Sequence, residues 1–268
     1  MLSSVFAKTL RERRRGFLWW SVGLVGFAAM YSAVFPSVRG NGSLNKLVQA
    51  YPQALKGFIG FGGNLDISSG AGYLGSEVFS LVAPLIFLAM AIGAGAAAIA
   101  GEEERGTLDL LMSLPLTRSS CLLHKLAALV CEVLALGLVL WISLAILAPA
   151  TGMHVSTLHL AAAVVDLTLL TLVFGLLALA IGAATGRRAL SIGLASGLAV
   201  ASYVIAALAP LASWLDSAKL IAPYYYYSHG DPLRHGLAVT DTIVLAIVAL
   251  AIAAIAPLVF RRRDLATS

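Results

Sequence analysis

Six stretches of the chain run almost without charge, and each is long enough to cross a bilayer: Phe17–Val38, Val78–Ala100, Cys121–Ala148, Leu158–Ala184, Ala189–Ser213 and Ala238–Phe260. About 30 Å of hydrocarbon needs roughly 20 helical residues. The runs are unbroken rather than alternating, which predicts helices; a membrane strand would alternate and stop after about ten residues. Ahead of the first run, Leu2, Val5, Phe6, Thr9 and Leu10 recur at helical spacing beside Lys8 and an arginine cluster. That pattern predicts a helix over Met1–Arg15 lying on the membrane surface. The connections are unequal. Pro149–Thr157 is short and Thr185–Arg188 is a tight turn, whereas Arg39–Glu77, Gly101–Ser120 and Trp214–Leu237 are longer.

Composition agrees with this pattern. Hydrophobic residues make up 60% and charged residues 12%, with a mean hydropathy of +0.92. A soluble domain carries about 25% charged residues, so a water-soluble particle is excluded, as are disordered, collagen-like and coiled-coil chains. The fold class is an all-α polytopic membrane protein of six transmembrane helices, one domain over residues 1–268. The basic N-terminal cluster leads directly into a full-length apolar run with no small-residue cleavage site, so the first run reads as a retained anchor.

Charge sets the expected orientation. With the N-terminus in the cytoplasm, 13 Lys and Arg fall inside, from Lys8 and Arg11 to Arg263. Only Arg39, Lys46, Lys56, Lys219 and Arg234 fall outside. Positive charge resists translocation, so both termini are expected in the cytoplasm and the protein in the cell membrane. This bias accounts for the net charge of +5. It implies contact with anionic lipid and no nucleic-acid partner.

Little else carries chemistry. Cys121 and Cys131 lie at or inside an apolar run and read as buried thiols. His229, Asp231, Arg234 and His235 are spaced irregularly, and no metal site is expected. Asn41-Gly42-Ser43 matches a glycosylation sequon, a short pattern frequent by chance. No Gly-x-Ser-x-Gly run or paired nucleophile and base points to an enzyme. Gly182/Gly186 and Gly193/Gly197 allow close helix approach, within the protomer or at a dimer seam. Tyr224 and Tyr225, in a run of four tyrosines, suit the outer interface or an outer gate on a transport path. Glu132 and Asp166 fall near mid-membrane by residue count. An ionised acid in lipid costs at least about 2.5–3.5 kcal/mol, so both are expected to face protein, water or cargo.

The loop Gly101–Ser120 reads GEEERGTLDLLMSLPLTRSS. Thr107 can cap a short helix, Asp109 suits its first turn, and Pro115 stops it. Leu108, Leu111 and Met112 form an apolar face, with Leu114 beside it. So short a helix is marginal alone, and its leucines call for a partner surface. Gly106 is expected to matter if the chain there requires positive φ.

With its extension to Lys125, this loop resembles the segment after the second span in type-2 ATP-binding cassette (ABC) exporter permeases. The shared pattern is Glu103 or Glu104, Gly106, Thr107, Leu110, Leu111, Pro115, Arg118 and Lys125. The segments YPQALKGFIGFGGNLDISSGAGYLGSEVFSLVAPL and APYYYYSHGDPLRHG are similar to that family's external segments. The resemblance implies that the loop is a coupling helix, docking on a separate ABC ATPase through Glu103, Glu104, Gly106, Thr107, Leu108, Leu111, Leu114 and Arg118. It also implies two ATPase copies and a second permease copy, identical or similar. No Gly-Lys pair of a phosphate-binding loop occurs here, so ATP and Mg are expected on the partner and no cofactor on this chain. Glu132, Asp166, Tyr224 and Tyr225 are the candidates for the transport path, with an unidentified substrate. The competing readings are an ion-coupled secondary transporter without an ATPase, which would show intramembrane charges on broken helices, and a membrane anchor for another protein.

Overall fold

The computed structural model describes residues 2–40, 43, 46, 50, 51, 66–106, 117–211, 215 and 217–262. Every regular element among them is helical. The long helices are α1 (Leu2–Val38), α3 (Val82–Ala98), α5 (Arg118–Ala150), α6 (Thr157–Thr185), α7 (Arg188–Leu208) and α10 (Val239–Arg262). The shorter ones are α2 (Gly70–Leu74), α4 (Ala100–Glu103), α8 (Pro223–His229) and α9 (Pro232–His235). A π-turn, Gly75–Phe79, joins α2 towards α3. Six helices are long and apolar enough to span a membrane, counting Gly70–Ala98 as one.

The helix ends follow local chemistry. Ser69, Thr117 and Ser156 cap α2, α5 and α6, each hydroxyl accepting from a first-turn N–H. Gly186 ends α6 in the left-handed region at φ 68°, where glycine has no Cβ to clash. Pro36, Pro149 and Pro257 lie within one or two turns of the C-terminal ends of their helices, so no helix is broken at its centre.

Helix α6 is the hub, packed against α3, α5, α7 and α10, while α1 leans mainly on α5. The α3–α6 contact is closest at two glycines. A Cβ on Gly95 would lie 2.2 Å from the Gly175 carbonyl oxygen. Without side chains there, the two backbones touch, as small residues allow in lipid.

Two expectations change. The N-terminal segment is helical, but it is not a separate surface element. One uninterrupted helix runs from Leu2 through the arginines to Val38, with Val5 and Thr9 buried against the bundle. No proline or glycine separates the basic segment from the span before Gly16, so nothing forces a bend. Span two begins earlier than Val78, at Gly70, because the Ser69 cap and the π-turn extend it. Arg11 to Arg15, Arg105, Arg187 and Arg188 fall at one end of the bundle, called the basic end below.

Candidate functional site

The stem of the long loop lies at the basic end. Thr107, Leu108, Leu111 and Leu114 lie outside the described residues, as does the side chain of Arg118, whose backbone begins α5. The described stem is tied to two other helices. Lys125 of α5 is buried and makes an ion pair with Glu102 at 2.5 Å. The Glu104 carboxylate accepts from the Arg188 backbone N–H at 2.8 Å, at the first turn of α7. That helix end has no capping side chain of its own, and a carboxylate there complements both the unpaired N–H groups and the helix dipole. Glu103 closes the last turn of α4, its carbonyl accepting from the Gly106 N–H at 2.9 Å. Gly106 adopts φ 67° with nothing within 4 Å of a would-be Cβ. Backbone conformation rather than space therefore demands glycine there.

The two intramembrane acids do not form one patch. Glu132 pairs with Arg13 of α1 at 3.2 Å, and Arg13 also donates to the Ala94 carbonyl of α3 at 2.7 Å. Asp166 accepts from the Thr242 hydroxyl of α10 at 2.7 Å. Gly137 of α5 faces Thr168 of α6. In this antiparallel pair Asp166 is therefore level with about residue 139, roughly 10 Å along α5 from Glu132. Similar depth fails as an expectation because α5 is 33 residues long. That exceeds what the hydrocarbon needs, so counting from Cys121 misplaces Glu132. Instead it sits at the level of the arginine cluster.

The tyrosine run divides by function. Tyr227 and Tyr224 are buried, and their hydroxyls donate to the carbonyls of Phe79, at 2.6 Å, and Ser80. Those carbonyls belong to the π-turn and the residue after it, so the two hydroxyls tie α8 to the start of span two. The Tyr224 ring also lines an apolar cavity of about 180 Å³ between α3 and α7, with Leu88, Val200 and Tyr203. Tyr225 is only half-buried, beside His229 and below the Lys219 ammonium. His229 Nδ1 is hydrogen-bonded to the Asp241 carboxylate at 3.0 Å, and no group of three potential metal ligands occurs among the described residues. Outside the spans, Asp231 is held in the left-handed region at φ 42°, and burial pushes its carboxyl above the usual range.

Sequence reasoning missed the partners more than the residues. Arg13 had a visible signal, since Val5, Thr9 and Arg13 recur every fourth residue on one helical face. Glu102 and Lys125 are separated by the whole loop, and Asp166 and Thr242 by helices α7, α8 and α9; no spacing rule connects them.

The sequence pattern of the ABC-2 family transporter proteins matches residues 4–265, nearly the whole chain. The chain belongs to the ABC-2 transporter family. Among curated proteins none matches it. As a member of that family with six apolar spans, the protein is a multi-pass permease of the plasma membrane, the membrane subunit of an ABC transporter. The family implies an ABC ATPase partner in general terms. The polar geometry of the permease is that of a scaffold: buried charges are paired across helices, and the loop stem is anchored at two points.

Proposed function

We propose that this chain is the membrane half of an ABC exporter, that the segment Gly101–Ser120 is its coupling helix, and that the permease works as a homodimer. The observation carrying the coupling role is the anchored stem. Glu102 is bound to α5 through Lys125, and Glu104 to the start of α7. A load applied to the loop by a closing ATPase therefore reaches α3, α5 and α7 together, as a rigid-body switch requires. Glu103, Thr107, Leu108, Leu111, Leu114 and Arg118 provide the docking contacts, and Gly106 sets the exit angle from α4. ATP and Mg are held by the ATPase, one copy under each permease. Both termini lie in the cytoplasm, at the basic end.

Support for the homodimer comes from α7. Gly193 and Gly197 meet nothing within 4 Å where a Cβ would project, so this glycine pair is not used inside the protomer. Its flanking residues Leu194 and Leu198 are exposed. A second copy seated there would place the apolar cavity beside Tyr224 near the seam, where cargo with apolar parts would pass. Asp166 and Tyr225 are then wall residues rather than cargo handles.

The test replaces Leu108 and Leu111 by Ala together. Each buried leucine contributes about 1.5–3 kcal/mol, so copurification with the ATPase should fall by an order of magnitude or more. The permease should remain inserted with its melting temperature unchanged. Wild-type recovery of the ATPase with normal transport would remove this loop from the coupling role.

A further inference from the structure

A cavity of about 290 Å³ lies between α1, α3 and α5 at the level of the arginine cluster. Its floor is the Arg13–Glu132 pair, with Glu12 at the rim. Its sides are apolar, formed by Phe17, Trp20 and Met90. Glu132 is 95% buried, and its Oε1 has no hydrogen-bond partner among the described residues, because Arg13 is bound to Oε2. A buried carboxylate oxygen left this way is costly unless a donor reaches it. The cavity exists because two of its wall positions are glycine. Neither Gly16 nor Gly93 has anything within 4 Å of a would-be Cβ.

We infer that this cavity is a binding site for a phospholipid with a primary-amine headgroup, of the ethanolamine type. The ammonium donates to Glu132 Oε1. The phosphate meets the face of the Arg13 guanidinium not used by Glu132 and Ala94, since a guanidinium has five N–H donors and two are engaged here. The lining holds one cation, Arg13, and two acids, Glu132 and a rim Glu12 that is partnered by Lys8; that balance suits a zwitterion better than an anionic headgroup. The acyl chains leave past Phe17 and Trp20, and Trp20 is at the depth where tryptophans prefer to sit. Trp19, next to it on the outer face of α1, is exposed, which places this part of the helix at a lipid boundary. A free headgroup would leave the apolar walls uncovered, so the intact lipid is the occupant. The lipid sits there whichever cargo the permease moves.

The purified full-length chain is equilibrated with equal amounts of dioleoyl phosphatidylethanolamine, phosphatidylcholine and phosphatidylglycerol. The lipids retained after detergent exchange are then quantified by mass spectrometry. Phosphatidylethanolamine should be enriched about tenfold over phosphatidylcholine, which lacks the N–H donors of a charge-assisted hydrogen bond. Gly93→Leu and, separately, Gly16→Leu fill the cavity without touching a charge and should abolish that enrichment, with an unchanged size-exclusion profile. Glu132→Gln should reduce the preference for the amine over its methylated form. Equal retention of the two zwitterionic lipids would overturn the assignment, and so would enrichment that survives both filled-cavity variants. Preferential retention of phosphatidylglycerol, lost on filling, would make this an anion site on Arg13 and overturn it equally.

Discussion

Helices α6 and α7 follow one another in the chain, are joined by a tight turn, and are both apolar enough to span a membrane, yet they occupy opposite environments. The spanning window of α6 is 72% buried and that of α7 22%. The buried face of α7 is built from small residues, Ser191, Ala195, Ala199, Ser202 and Ala207, while Leu194 and Leu198 point away from the bundle. Helix α6 buries leucine, valine and phenylalanine in nearly every direction, along with Asp166 and two threonines. In lipid an apolar residue gains little by leaving the bilayer for protein, so hydropathy measures insertion and not centrality. Close approach and buried polarity mark the hub: Gly175 lies against Gly95, and Asp166 and Thr171 are hidden within the bundle. The rim is marked by small residues that face inward on a helix whose large residues face out.

The contrast is sharpest at the glycines. Gly95→Leu places a Cβ 2.2 Å from a backbone oxygen that cannot retreat. Overpacking there should cost about 3 kcal/mol or more, read as loss of monodisperse protein. The double variant Gly193→Leu with Gly197→Leu should keep the wild-type melting temperature and turn a dimer into a monomer. If both variants behaved alike, the distinction between hub and rim would collapse. Leucine truncation is the next step down. Leu170→Ala on α6 should lower stability by about 2–5 kcal/mol, measured by reversible denaturation in micelles, whereas Leu198→Ala on α7 should leave the protomer within about 0.5 kcal/mol and weaken only the proposed dimer. The smallest effect separates two tyrosines. Tyr227→Phe removes a buried hydrogen bond to the Phe79 carbonyl and should cost about 1 kcal/mol. Tyr226→Phe gives up an exposed bond to the Leu220 carbonyl and should leave the thermal transition where it was.

Much of the fold was legible because a bilayer imposes its own length and charge rules. The six spans and the grouping of the arginines needed only counting. Gly106 does take the positive φ that its position suggested, while Leu108, Leu111 and Leu114 lie outside the described residues. Pairing across helices was not legible. Glu132 meets Arg13 from 119 residues away, and Asp166 meets Thr242 from 76. Depth estimated by counting from a span's start also fails where a helix overshoots the membrane, as α5 does. The tyrosine run kept two readings open because an interfacial ring and a buried hydroxyl donor look the same in sequence. They separate only once the Phe79 and Ser80 carbonyls are seen to accept from Tyr227 and Tyr224.

That π-turn has a further consequence. Each residue of a regular helix advances the side chains by about 100°, and a π-turn holds one residue more than the helix would need at that point. The apolar stripe of α2 is therefore out of phase with that of α3 by about a third of a revolution, although they form one span. Leu74 and Phe87 both reach the core. Removing one residue from this turn would restore the phase and rotate Gly70–Leu74 away from Tyr31, whose carbonyl now accepts from Tyr73. The extra residue thus sets the azimuth of Gly70–Leu74 independently of Val82–Ala98.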